Sequence, residues 1–200
     1  MRVIAIDGPV GAGKSTVARA LATHLGLSHL DTGAMYRSVA LAALRRQLDP
    51  GDVDGVATLA RELDLTVDER VVLDGHDVTD AIRGADVSGV VSQVAANPDV
   101  REEMVRRQRA WVRDRDGGVV EGRDIGTVVF PAADLKVFLT AGDDARAARR
   151  NDEDPEALAR RDHLDSSRAV SPLTAAPDAL VIDSTSLTVE EVVDAILEKL

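Results

Sequence analysis

The chain contains no cysteine, which excludes disulfides, thiolate metal sites and cysteine nucleophiles together. That usage suits a reducing compartment, and the expected location is the cytoplasm. Aromatic residues are almost as scarce, with one Trp, one Tyr and two Phe among 200 residues. Long apolar runs are missing as well. The first ends at Asp7 with no Lys/Arg-rich leader before it, and none approaches the roughly 18 residues of a membrane span. Neither a secretory leader nor a membrane partner is therefore expected. Basic residues are in deficit, 24 Lys and Arg against 35 Asp and Glu, for a formal net charge of −11. This balance argues against a broad nucleic-acid footprint. Hydrophobic residues make up 44% of the chain, enough for the core of one domain with insertions.

Against that background stands residues 8–16, GPVGAGKST, in which Gly8, Gly13, Lys14 and Ser15 keep the phosphate-loop spacing G-x-x-x-x-G-K-[ST]. With glycine at about 7% of ordinary chains, such a match arises by chance on the order of once per hundred chains of this length. Its flanks make chance rarer still. The apolar run Val3-Ile4-Ala5-Ile6 precedes it, and a helical pattern with Val17, Leu21 and Leu25 on one face follows it, ending at Gly26. Gly8, Pro9, Val10, Gly11, Ala12, Gly13 and Thr16 belong to a loop whose backbone N–H groups, Pro9 excepted, wrap the phosphates of a nucleoside triphosphate. Lys14 is expected to reach the β- and γ-phosphates, and the Ser15 hydroxyl to sit on Mg²⁺.

Five β-rich runs alternate with helical patterns: residues 2–7, 28–31, 118–121, 135–140 and 179–183. Helices are expected at 13–25, 34–48, 86–96, 98–115, 143–150, 156–164 and 188–199. This alternation predicts an α/β fold with a five-stranded parallel sheet flanked by helices. Ligands on such a sheet bind beyond the carboxyl ends of its strands. The long gap between the second and third strands predicts an inserted unit. It includes a hairpin near 65–78, where Val71-Val72-Leu73 runs into Asp74-Gly75, a pair suited to a type I′ turn.

A triphosphate on an acidic chain requires arginines concentrated locally. Leu30-Asp31-Thr32-Gly33 leads into Tyr36 and Arg37; Glu121-Gly122-Arg123-Asp124 ends the third strand; Arg149, Arg150, Arg161, Asp165 and Arg168 follow the fourth. Singly, each has a plain explanation as a solvated charge or a cap. Arg106, Arg107 and Arg109 read as a solvated helix face. Position favours function for Arg37 and Arg123, which follow strand ends that share an edge with the phosphate loop. A second phosphate-bearing substrate would face the γ-phosphate there.

In the strings GPVGAGKST, LDTGAMYR, SQVAANPDVRE, EGRDIGTVVFP, RAARR, RRDHLDSSRAVSPL and ALVIDS, the chain resembles the bacterial cytidylate kinases, within the nucleoside monophosphate kinase group. These strings run in order from residue 8 to residue 184, and several are far more specific than the phosphate loop. The resemblance implies transfer of the γ-phosphoryl of ATP, with Mg²⁺, to CMP or dCMP. It implies one domain over 1–200: a core of about 1–32, 117–145 and 169–200, a CMP-binding region of about 33–116, and a lid of about 146–168. By matched position, Thr32, Arg101, Asp124 and Arg168 resemble the family's cytosine readers. A carboxylate and a hydroxyl facing the cytosine amine, with guanidinium groups facing N3 and O2, distinguish it from uracil. Ser92, Arg161 and Asp165 resemble the sugar contacts, and Tyr36 falls within the same substrate region. Arg37 and Arg123 match the arginines that hold the CMP phosphate, where bidentate geometry favours Arg over Lys. Lys14, Arg123, Asp124, Arg149 and Arg161 form the implied catalytic set, with Arg149 also on ATP. Phosphoryl transfer of this kind needs positioning and positive charge and no covalent nucleophile. A monomer is expected.

One departure stands out. Only ten residues lie between Arg150 and Arg161, where the family carries a longer lid, and the acidic run Asp152-Glu153-Asp154 with Pro155 fills part of them. Three other readings are open at this stage. The first is a kinase of another pyrimidine monophosphate, UMP, and the second a non-catalytic nucleotide sensor. The third, a GTP-driven switch, lacks the [NT]-K-x-D guanine motif it would need.

Overall fold

Residues 2–7 become β1 (Arg2–Asp7), buried from Val3 to Asp7. Burial along the whole strand is what a parallel strand covered on both faces requires. The computed structural model describes residues 1–150, 155–168 and 170–200; the acidic run at 152–154 therefore lies outside the described residues. Residues 1–30 and 111–200 form one compact unit and residues 31–110 another.

In the first unit, β1 is joined by β2 (His29–Asp31), β6 (Gly117–Gly122), β7 (Leu135–Thr140) and β8 (Leu180–Asp183). The five-stranded sheet has the order β2-β6-β1-β7-β8. β1 pairs in parallel with β6 from Arg2–Gly117 to Asp7–Gly122, and with β7 from Ile4–Leu135 to Asp7–Phe138. That register brings Asp7 beside Gly122, so the phosphate loop and the Arg123-Asp124 segment leave the sheet side by side. α1 (Lys14–Leu25) buries Val17, Ala18, Leu21 and Ala22, and ends at Gly26 in the left-handed conformation. α8 (Val189–Leu197) adds Val192, Val193 and Ile196 to the same apolar cluster. Its start is fixed by a reciprocal cap between Thr188 and Glu191. α6 (Asp143–Arg149) and α7 (Pro155–Ser166) follow β7.

The second unit holds α2 (Thr32–Arg45), α3 (Val53–Glu62), α4 (Ala85–Ala96), most of α5 (Pro98–Asp114) and a small antiparallel sheet. The sheet comprises β3 (Leu65–Val67), β4 (Val71–Leu73) and β5 (His76–Asp77). Asp74 and Gly75 both have positive φ, 49° and 77°, the signature of the expected type I′ turn. The expected hairpin thus has a third strand. α3 was not expected. Its β-branched residues and Gly55 dilute the helical signal, yet Asp52 caps the Gly55 N–H at 3.0 Å and Val56, Ala57, Leu59 and Ala60 are buried. Among the described residues, no helix is long and apolar enough to cross a membrane.

Candidate active site

The phosphate loop leaves β1 and is threaded tightly. A Cβ on Gly8 would collide with the Leu139 carbonyl, and one on Gly11 (φ 76°) would come 2.9 Å from the Arg146 Cβ. Only glycine fits either place. Val10 donates its N–H to Asp162 Oδ1 at 3.1 Å, and Arg146 bonds both the Val10 carbonyl, at 3.1 Å, and Asp162. The loop is thereby held from α6 and α7 as well as from the sheet.

Lys14 opens α1 and is buried, donating from Nζ to the Pro9 carbonyl at 2.7 Å. Burial pushes its amine down to about 7, and the Arg123 guanidinium adds to the effect, while Glu121, Asp7 and Asp162 oppose it. Burial likewise pushes the Asp7 carboxyl up to about 6, against the opposing pull of N–H bonds from Gly126 and Ile125, both 2.8 Å.

Ser15, one residue on, donates its hydroxyl to Glu121 Oε2 at 2.8 Å, and Glu121 Oε1 lies 2.9 Å from His29 Nε2. These oxygens suit Mg²⁺, a hard ion bound through one or two protein oxygens plus substrate phosphates rather than by a protein cage. Among the described residues, no group of three or more His, Cys, Asp or Glu side chains is assembled for a metal.

Arg123 reaches back to the loop, donating from Nη1 to the Gly8 carbonyl at 3.0 Å and from Nε to Asp165 Oδ2 at 2.8 Å. Asp165 Oδ1 accepts from Arg168. Burial alone would raise the Asp165 pKa, but Arg123 and Arg168 hold it below the usual carboxylate range. Arg161 lies in the same cluster, and burial together with Arg123 lowers its pKa. Asp124 is buried at the mouth of a π-helical turn, Ile125–Val129, closed by the Phe130 N–H on the Ile125 carbonyl at 2.7 Å. Such turns concentrate at functional sites. Arg149, the last residue of α6, donates to the Ser184 carbonyl at 2.6 Å, to Ser184 Oγ at 3.0 Å and to the Gly11 carbonyl at 3.5 Å. Lys14, Ser15, Arg123, Asp124, Arg149, Arg161, Asp165 and Arg168 thus belong with the loop in one unit.

Thr32, Tyr36, Arg37, Ser92 and Arg101 belong to the other unit, and all five are buried. Arg37 Nη1 donates to the Ile82 carbonyl at 3.1 Å and to Ser88 Oγ at 3.0 Å. Arg101 donates to the Ala95 carbonyl at 3.2 Å and stands 5.4 Å from the centre of the Tyr36 ring. Both guanidinium groups are buried, so Arg37 and Arg101 are not solvated surface charges. Arg107 corrects the reading of 106, 107 and 109 as one solvated face: it bonds the Ala60, Arg61 and Leu63 carbonyls at 2.9–3.2 Å and closes the end of α3.

The sequence alone assigned no site role to Asp7, His29, Glu121, Arg146, Asp162 or Ser184, although Glu121 stands in the cluster that ends the third strand. Their partners lie far off along the chain: 106 residues separate Ser15 from Glu121, and 152 separate Val10 from Asp162. Only a burial signal, a carboxylate closing an otherwise apolar strand, marks Asp7 and Glu121.

A glycine loop at the carboxyl edge of a parallel sheet, a buried lysine, a hydroxyl at the helix start and arginines gathered beside the loop define a P-loop phosphotransferase. The cytidylate kinase family matches residues 4–200, and the chain belongs to it. Among relatives, the cytidylate kinase of Mycobacterium avium (strain 104) is 48% identical, over 96% of this chain and 92% of its own length. That of Nocardia farcinica (strain IFM 10152) is 49% identical, over 96% and 90%. The crystal structure of TT1252 from Thermus thermophilus shares the fold, with a TM-score of 0.55 and 20% identity over 100% of this chain and 97% of that one. As a member of this family, the protein is an ATP-dependent phosphotransferase.

Proposed function

We propose that the protein transfers the γ-phosphoryl group of ATP to CMP or dCMP, giving ADP and CDP or dCDP, as a cytoplasmic monomer working with Mg²⁺. One observation carries the reading beyond the family: Arg123, the arginine assigned to the CMP phosphate, is bonded to the first glycine of the ATP loop. An acceptor phosphate on Arg123 would therefore lie next to the donor phosphates, as in-line transfer needs. The loop from Gly8 to Thr16 binds the ATP phosphates, with Lys14 and Arg149 as its cations. Mg²⁺, held through Ser15 with Glu121 beside it, supplies neutralisation of the β- and γ-phosphate charge when bound. Arg37 and Arg123 grip the CMP phosphate, while Ser92, Arg161 and Asp165 orient the sugar. Thr32, Arg101, Asp124 and Arg168 read cytosine, with Tyr36 supporting Arg101. No residue needs to form a covalent intermediate. The chain's work is orientation and the placement of positive charge.

Arg37→Ala and Arg123→Ala test the acceptor assignment. Each is expected to lower kcat/KM for CMP by about a hundredfold or more, and Arg37→Ala should leave the ATP KM within about threefold. Arg123 also braces the Gly8 carbonyl, so Arg37 gives the cleaner separation. Unchanged CMP kinetics in Arg37→Ala would remove it from the substrate site.

A further inference from the structure

Glu121 is the penultimate residue of β6, a strand flanked on both sides in the sheet, and its side chain is only 4% exposed. A carboxylate so buried needs donors, and its two oxygens take different ones. Oε2 accepts the Ser15 hydroxyl at 2.8 Å, and Oε1 meets His29 Nε2 at 2.9 Å. The terminal torsion of a glutamate is broad and soft, so one partner alone does not fix the carboxylate plane, whereas two on opposite oxygens do. His29 comes from β2, the neighbour of β6 in the sheet. The imidazole is therefore mounted on a strand, not on the loop that must accept nucleotide.

A serine hydroxyl has one proton and two lone pairs. By committing its proton to Glu121, Ser15 keeps both lone pairs directed away from that carboxylate and available to a cation. The direction of the hydroxyl depends on the direction of the carboxylate, which His29 helps to set through its contact with Oε1. We propose that His29 is a positioning residue for the divalent ion: it orients Glu121, and Glu121 orients the Ser15 hydroxyl that takes the metal. Partners of this outer kind commonly alter metal affinity by 10- to 100-fold (about that range) when removed. The proposal rests on Ser15 being the metal-holding residue.

The test is ATP affinity by calorimetry on the full chain, once with Mg²⁺ and once with EDTA, the ratio of the two giving the metal-dependent gain. Two amides discriminate. In His29→Gln the amide nitrogen falls near the place of Nε2 and can still reach Glu121; in His29→Asn it is one methylene short. The gain is expected to fall about tenfold in His29→Asn and to return in His29→Gln, with affinity in EDTA within about twofold throughout. If His29→Asn does not fold, His29→Leu replaces it with the same expectation. An undiminished gain in His29→Asn overturns the proposal, as does an equal loss with and without metal, which would make His29 a simple support for the loop. A folded His29→Gln that fails to recover overturns it too. If the wild type itself shows no metal-dependent gain, the metal role of Ser15 falls, and the role of His29 with it.

Discussion

Lys14 is a buried amine whose charge the ligand-free protein sustains poorly. With its pKa pushed down to about 7 by burial and by Arg123, much of it is neutral at pH 8. The phosphates of ATP favour the ammonium form, so ATP binding at pH 8 should take up a proton. Below about pH 6, where Lys14 is already charged, this uptake should fade. Calorimetry in buffers of different ionisation enthalpy reads the proton count directly. Lys14→Met should abolish the uptake and lower turnover by at least about a hundredfold, the scale of one lost preorganised charge contact. Proton release at pH 8, or uptake that persists in Lys14→Met, would contradict this role. The position of Lys14 was legible in the sequence because its motif is local, nine residues that run from the end of a strand into the first turn of a helix. Its electrostatics were not, since Arg123, Glu121 and Asp162 come from more than a hundred residues away.

Elements show the same division between local and distant causes. All five strands of the main sheet were legible to within about a residue, because each is a short apolar run bounded by glycine, aspartate or a polar turn. α3 was missed for want of a periodic signal, and the reason it holds became visible only in the packing. Three carbonyls at its end are satisfied by the Arg107 guanidinium, which also meets Glu103 at 2.6 Å. A buried or half-buried acceptor left without its donor costs about 1–3 kcal/mol. Arg107→Ala is therefore expected to destabilise the protein by about that amount, seen as a Tm lower by several degrees, with CMP and ATP kinetics unchanged at 25 °C. A full-strength Tm would return Arg107 to the solvated surface. The arginines of the candidate site divide in the same way: Arg123 was legible from a strand end, whereas the carbonyl and hydroxyl partners that bury Arg37 were not.

At the scale of the whole molecule, an acidic chain with net charge −11 needs positive charge gathered locally to bind anionic substrates; of the arginines proposed for that task, Arg123 bonds the Gly8 carbonyl of the loop and Arg37 and Arg101 are buried. Only ten residues lie between Arg150 and Arg161, the stretch that the family resemblance assigns to a lid. A short lid should close the arginines onto the phosphates yet exclude water less completely. Slow ATP hydrolysis without CMP is the expected consequence, persisting as a minor side reaction with CMP present. A flexible insertion between Arg150 and Arg161 should change that leak more than it changes the choice of acceptor. ADP and CDP formed one for one, with no CMP-independent hydrolysis, would show the lid to be short but sufficient. The central claim is acceptor choice, and ADP release measured with ATP and Mg²⁺ against CMP, dCMP, UMP, AMP and GMP tests it most directly. CMP and dCMP should give the highest kcat/KM, with UMP at least about tenfold behind because a site built to pair the cytosine amine is left with unmatched groups by uracil; UMP or a purine monophosphate accepted as well as CMP, or no ADP with CMP, would contradict the account.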